Sequence, residues 1–159
     1  GNLTHDEAVT VHQNAARVPL KGRGGVMLDE QWGDESPEAH LGITAPNFPN
    51  FYVMQGPGTV LAHGGSAIFT SECMIRYVTS CLRAMVEGGH RAIEVREEAH
   101  DAYMARWYAE HDELIWSHPG MNNWYKNSKG KVFAVLPWRL VDYWAMTRDV
   151  DLSEYRLTG

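Results

Sequence analysis

The segment from Phe51 to Val86 constrains the fold more than any other. A continuous apolar run, Phe51-Tyr52-Val53-Met54, leads through Gly56-Pro57-Gly58 and Gly64-Gly65-Ser66 into a long helical pattern. An apolar run bounded by turn signals reads as a buried strand. In the pattern that follows, Ile68, Ile75, Val78, Leu82 and Met85 share one face, with Glu72, Arg76, Arg83 and Glu87 mostly opposite. Glu72 and Arg76 have the favourable i,i+4 spacing, and Gly88-Gly89 stops the helix. A buried strand, a glycine-rich turn and a helix N-terminus bring backbone N–H groups together on one acceptor: a phosphate, a carboxylate or a polarised carbonyl. Glycine lets a planar ligand approach the backbone, which a Cβ would prevent. The same residues also suit a purely structural turn, because strand–turn–helix joints use glycine for geometry alone.

Two familiar ligand loops are excluded here. The spacing from Gly58 to Gly64 is not that of a P-loop, and no Lys-Ser/Thr follows Gly65. Leu61 stands where a dinucleotide fingerprint needs its third glycine.

Elsewhere, Pro19 and Gly22-Arg23-Gly24-Gly25 mark a turn, and Val26-Met27-Leu28 reads as a short strand. Asp34 to Glu38 is a polar loop. Pro46-Asn47 suits a type II turn, with Asn at the position of positive φ. Ala92 to Val95 is a strand. Glu97 to Trp116 is a helix whose acidic start suits the positive end of its dipole, and His118-Pro119-Gly120 ends it. A polar loop with aromatics follows, Asn122 to Asn127. Lys131 to Leu136 is a strand, and Pro137 opens a short helix through Trp144 and Met146.

The length, 159 residues, suits one domain or a large part of one. Six Trp and seven Tyr supply large buried areas, for a core or for a contact face with another domain. A net charge of -6 argues against a nucleic-acid footprint. No run of 18 apolar residues exists, so no membrane span is expected. Gly1 to Glu7 shows no basic stretch followed by an apolar one, so no secretory signal is visible. Cys73 and Cys81 fall in one helix, about 12 Å apart by helical rise. That is beyond disulfide reach, and two free thiols fit a reducing, cytoplasmic setting. His100, His111 and His118 lie on or near one helix, but without HExxH or paired cysteines they read as ordinary histidines and no metal is expected. Asp101, Asp112 and Glu113 read as a solvated face.

An ordered series of motifs resembles the Baeyer–Villiger type of flavin-containing monooxygenase, especially its 4-hydroxyacetophenone monooxygenase branch. The series begins with Gly42-Ile43-Thr44-Ala45-Pro46-Asn47-Phe48-Pro49-Asn50-Phe51 and Gly56-Pro57-Gly58-Thr59. His63-Gly64-Gly65-Ser66-Ala67-Ile68-Phe69 follows, running through Glu72-Cys73. It continues in Trp124-Tyr125-Lys126-Asn127-Ser128-Lys129-Gly130-Lys131-Val132, Pro137-Trp138, Tyr143-Trp144 and Asp151 to Leu157, and so covers about Gly22 to the end.

The resemblance implies an α/β fold: the last strand and helix of a partial FAD/NAD(P)-binding Rossmann-like domain, followed by a C-terminal α+β extension. Residues 1–88 would end the FAD-binding domain, and 89–159 would form the extension with an NADP-contacting loop. The implied activity is FAD- and NADPH-dependent insertion of one oxygen from O2 beside a ketone or aldehyde carbonyl. Backbone near Ser66 and Ala67 would donate to the N1–C2=O edge of the flavin, where reduction places negative charge. Gly56, Pro57 and Gly65 would let the ring approach. Trp124 matches a tryptophan that contacts NADP, with Lys126 and Asn127 adding polar contacts; a packed core aromatic is the other reading of Trp124. No catalytic residue is assigned.

The Gly-rich FAD fingerprint and the FxGxxxHxxxW signature are absent from the chain, and Thr10 to Asn14 holds at best a remnant of the expected Ala-Thr-Gly segment. The implied partners are therefore the missing N-terminal FAD and NADP domains, and the chain alone is expected to be inactive. A heteroatom-oxidising flavin monooxygenase and a catalytically silent interaction module are the alternatives. An incomplete sheet is expected to leave a strand edge and apolar helix faces exposed.

Overall fold

A computed structural model describes residues 19–33, 35–62 and 64–159. The readings of Gly1 to Glu7 and Thr10 to Asn14 lie outside these, as do Asp34 and His63. Among the described residues the chain is a mixed helix and strand domain with one two-stranded sheet.

The first element corrects the sequence reading. Val26-Met27-Leu28 is not a strand: Met27 makes a single antiparallel bridge to Lys21, and helix α1 (Leu28–Trp32) starts immediately after it. Asp29 and Glu30 occupy the first turn, where the helix dipole favours acids. Leu28 and Trp32, one turn apart, pack with Ala45 and Phe48 into a small second core. The Pro46-Asn47 turn forms as expected, with Asn47 at φ 71° and the Phe48 amide donating to the Ala45 carbonyl.

Phe51 to Met54 is also not a strand. It is half-buried to exposed, and single bonds anchor the segment: the Asn50 amide to the Ile93 carbonyl and the Val53 amide to the Ile43 carbonyl. Helix α2 (Ala67–Glu87) follows, capped by Ser66. Its buried residues are Thr70, Cys73, Met74, Tyr77 and Cys81, spaced at three, four, seven and eleven residues. The apolar face read from the sequence is divided: Ile68 (74% exposed), Ile75 (57%) and Leu82 face outward, while Val78 and Met85 pack half-buried against the core. The helix is apolar on two faces, and the polarisable, hydroxyl-bearing face is the one this chain covers. Cys73 and Cys81 are free and buried, and burial pushes the Cys81 thiol up to about 12.

Strand β1 (Ala92–Val95) pairs antiparallel with β2 (Tyr155–Thr158), from Ala92 opposite Thr158 to Val95 opposite Tyr155. The second strand was not anticipated. The strand expected to end a Rossmann-like domain does not form among the described residues, whose one sheet is this antiparallel pair. Helix α3 (Glu97–Asp112) begins where expected but stops before a 3-10 turn at Ile115–Ser117. Its buried stripe is His100, Tyr103, Met104, Trp107 and His111. Val132 to Leu136 is fully buried but joins its neighbours only through single bridges, Lys126 to Val132 and Val60 to Val135. Helix α4 (Leu140–Met146) starts three residues later than Pro137 suggested, behind an Arg139–Asp142 ion pair.

The main core runs from Leu41 and Ile43, through Met74, Tyr77, Trp107 and Leu136, to Tyr143 and Tyr155. It crosses the Gly88-Gly89 turn without interruption. Among the described residues no helix is long and apolar enough to cross a membrane.

Candidate functional site

The glycine-rich connection divides into a closed half and an open half. Gly56, Pro57, Gly58 and Thr59 are buried within the chain. A Cβ at Gly56 would lie 2.4 Å from the Gly42 carbonyl oxygen, and one at Gly58, where φ is +74°, would lie 2.8 Å from Nε1 of Trp107. The Thr59 hydroxyl donates to the Gly56 carbonyl at 2.6 Å and closes the turn on itself. Glycine is required here by the chain's own packing.

Gly64, Gly65, Ser66, Ala67 and Ile68 are exposed. Gly65 sits at φ +120° with Leu140 of α4 behind it, where a Cβ would come within 2.6 Å of Cδ1. The turn is therefore backed on one side and open on the other. Ser66 Oγ accepts from the Phe69 amide at 3.3 Å, which leaves the first amides of α2 with no acceptor inside the helix. No acidic side chain stands in that first turn. The positive end of a 21-residue helix is thus presented without a countercharge of its own.

Gln55, which the sequence reading passed over, holds this geometry. At φ +51°, its side-chain Nε2 lies 3.0 Å from the Ala67 carbonyl, 2.9 Å from Thr70 Oγ1 and 2.8 Å from Ser71 Oγ. It ties the closed half to the helix start. The one sequence clue was a polar residue set between an apolar run and Gly-Pro-Gly.

The second group of candidates lies in the loop after α3. Trp124 is 39% exposed and rests on Tyr125, with ring centres 4.1 Å apart. It is not a core aromatic. Lys126 is buried, and its ammonium donates to the carbonyls of His118 at 2.7 Å and Met121 at 3.1 Å. Asn127 Oδ1 accepts from the Lys129 and Lys131 amides, and its Nδ2 donates to Ser36 Oγ at 3.0 Å. These two side chains fasten the loop, and Trp124 is its exposed face. The loop borders a shallow depression of about 420 Å³, lined by Asn122, Asn123 and Lys126 but by none of the turn residues.

Among the described residues no group of three or more His, Cys, Asp or Glu is placed to hold a metal ion. His111 Nε2 lies 2.9 Å from the Val135 carbonyl, and burial lowers its pKa from the ordinary value. Burial opposes the charge on Glu94, but bonds from Arg23 and the Asn47 amide outweigh it and hold the carboxyl below its usual range.

No family model matches the chain. An uncharacterised monooxygenase, y4iD, of Sinorhizobium fredii is 40% identical over 139 residues, which is 87% of this chain and 21% of that protein. A Baeyer–Villiger monooxygenase of Pseudomonas aeruginosa is 32% identical over 150 residues, 94% of this chain and 28% of that protein. Among solved structures, oxidised steroid monooxygenase bound to NADP superposes with a TM-score of 0.73 at 23% identity, over 87% of this chain and 26% of that one. The OTEMO complex with FAD and NADP gives 0.73 at 19% identity, over 91% and 27%. The structural likeness shows a shared fold with one part of those enzymes. The chain spans 21% to 28% of the length of these curated relatives.

Proposed function

We propose that the chain is the C-terminal part of an FAD- and NADPH-dependent monooxygenase of the Baeyer–Villiger type, and that it is inactive alone. The carrying observation is the open, backed turn at Gly64–Ala67, in a chain whose relatives include Baeyer–Villiger monooxygenases. The motif series supports the 4-hydroxyacetophenone-type branch within that class, and the insertion of oxygen next to a ketone or aldehyde carbonyl.

The residues fit a flavin. Its pyrimidine edge gains negative charge on reduction, and the first amides of α2 offer donors with no competing carboxylate. Gly65, Ser66 and Ala67 are the residues that would hold it, while Gly56 and Pro57 shape the turn from inside the chain. FAD supplies the redox and oxygen-activating chemistry. This chain's residues position the ring edge, compensate its charge and wall off water. Trp124 is the residue that would meet NADP, on a loop kept in shape by Lys126 and Asn127.

Titrating FAD into the purified chain tests the division of labour. The expected result is no saturable binding at micromolar flavin, because the diphosphate-binding loop is supplied by another domain. Tight one-to-one FAD binding with NADPH oxidation would overturn the reading. The coding sequence upstream of Gly1 separates carbonyl from heteroatom oxidation: an FxGxxxHxxxW signature is expected there.

A further inference from the structure

The loop that presents Trp124 takes its shape from bonds of its own. Lys126 donates to the carbonyls of His118 and Met121, and Asn127 gathers the Lys129 and Lys131 amides. None of these bonds spans more than eight residues. They fold the loop without fixing it to the body of the chain. The segment Glu35 to Glu38 ties it down from 91 to 93 residues away. Glu35 Oε2 accepts from the amide of Ser128 at 2.9 Å and from its hydroxyl at 2.5 Å. Ser36 Oγ accepts at 3.0 Å from Nδ2 of Asn127, the side chain that gathers the two lysine amides. Bonds to a carboxylate are stronger than those between neutral groups.

The segment is itself anchored. Pro37 and Ala39 are buried, and Pro37 lines one small cavity with Pro57, from the closed half of the glycine turn. Tyr108 of α3 donates to Glu38 Oε1. Burial and that carboxylate both raise the pKa of the phenol, so it keeps its proton and stays the donor. Lys131 Nζ, at the end of the loop, lies 3.7 Å from the centre of the Tyr108 ring and 4.0 Å from Glu38 Oε1. Glu38 thus holds the segment to α3, while Glu35 and Ser36 reach the loop.

Polar contacts at half-exposed residues add little to global stability. A loop without regular structure opens easily, so a few such contacts set how long it stays closed. The apparent affinity of a ligand falls with the fraction of protein in the binding form. We propose, resting on Trp124 as the NADP contact, that Glu35 and Ser36 are positioning residues: neither touches NADP, and both keep the loop in the form that presents Trp124.

Hydrogen–deuterium exchange on this chain is the first test. Glu35→Ala/Ser36→Ala should speed exchange of the Lys129 and Lys131 amides about tenfold, while the helix amides of Tyr77 and Tyr103 keep their protection. The second test is NADP affinity in the complete, FAD-loaded enzyme. The same double variant should raise Kd about tenfold, and Glu35→Gln, which keeps an acceptor oxygen for Ser128, less than about threefold. Added to Trp124→Ala, the double variant should weaken NADP no further, because both substitutions act through one contact. Unchanged loop exchange, or losses that simply add to that of Trp124→Ala, would overturn the positioning role. A Trp124→Ala enzyme that binds NADP weakly beside a Glu35→Ala/Ser36→Ala enzyme that binds it normally would overturn that role alone. Normal NADP affinity in Trp124→Ala would instead remove the reading of Trp124, and the positioning role with it.

Discussion

At the scale of single residues, Gly42 and Gln55 carry the geometry of the candidate site. Gly42 has φ +68°, and a Cβ there would lie 2.1 Å from Thr59 Cγ2, so strain and overlap act together. Gly42→Ala should destabilise the chain by roughly 2–4 kcal/mol in urea unfolding; a loss under about 0.5 kcal/mol would show that the turn is not so tightly closed. Gln55→Ala removes the donor shared by Ala67, Thr70 and Ser71 and should cost about 1–2 kcal/mol, with faster amide exchange confined to the first turn of α2. Acid stability belongs to two other groups. Glu94 has its carboxyl held below the ordinary 4.5, so its contribution is complete above that pH and is lost as pH falls through its folded value. His111 has its pKa lowered from 6.5, so the unfolded chain takes up that proton first and stability already declines below pH 6.5. Melting temperatures from pH 7 to 3 should fall on both accounts, and Glu94→Gln should flatten the lower limb. An unchanged acid limb in that variant would remove Glu94 from the account. The glycine positions were legible in the sequence, but not their reason: a Gly42 that touches Thr59 is a contact between distant turns, which no local pattern encodes.

At the scale of elements, local signals were reliable where capping and periodicity agreed, and failed where pairing decides. Ser66, Gly88-Gly89 and the acidic start of α3 placed the two long helices closely. Phe51 to Met54 and Lys131 to Leu136 have strand composition, yet each finds only isolated backbone partners here, because a ladder needs a neighbour that composition cannot supply. Tyr155 to Thr158 was missed for the converse reason: it is short, and it becomes a strand only by lying against β1. Periodicity gives α2 an aliphatic stripe but not which surface covers it: Ile68, Ile75 and Leu82 are exposed, while Val78 and Met85 pack at the edge of the core. Ile75→Lys and Val86→Lys should therefore change stability by no more than about 0.5 kcal/mol and reduce binding of a hydrophobic dye. A loss of ~2 kcal/mol or more would place the stripe in this chain's own core. In the loop after α3, Trp124→Ala should leave stability nearly unchanged, because the ring is exposed. It should weaken NADP binding by the complete enzyme about tenfold, ~1.4 kcal/mol; an unaltered NADP affinity would contradict the role proposed for it.

At the scale of the whole molecule, the chain has a continuous core but does not close every surface that its sequence makes apolar. The core runs across the boundary between the two expected regions, while one face of α2 and the turn that begins it stay open. Closed inner turn, open helix start and uncovered stripe are the features expected of a piece that completes another domain. The central claim is that the amides of Gly65 to Ile68 face a flavin edge in the complete enzyme. Hydrogen–deuterium exchange at those amides, compared between this chain alone and the complete FAD-loaded enzyme, tests it most directly. Fast exchange in the chain and strong protection in the loaded enzyme, lost when FAD is stripped, is the predicted result; equally fast exchange with and without FAD would contradict it.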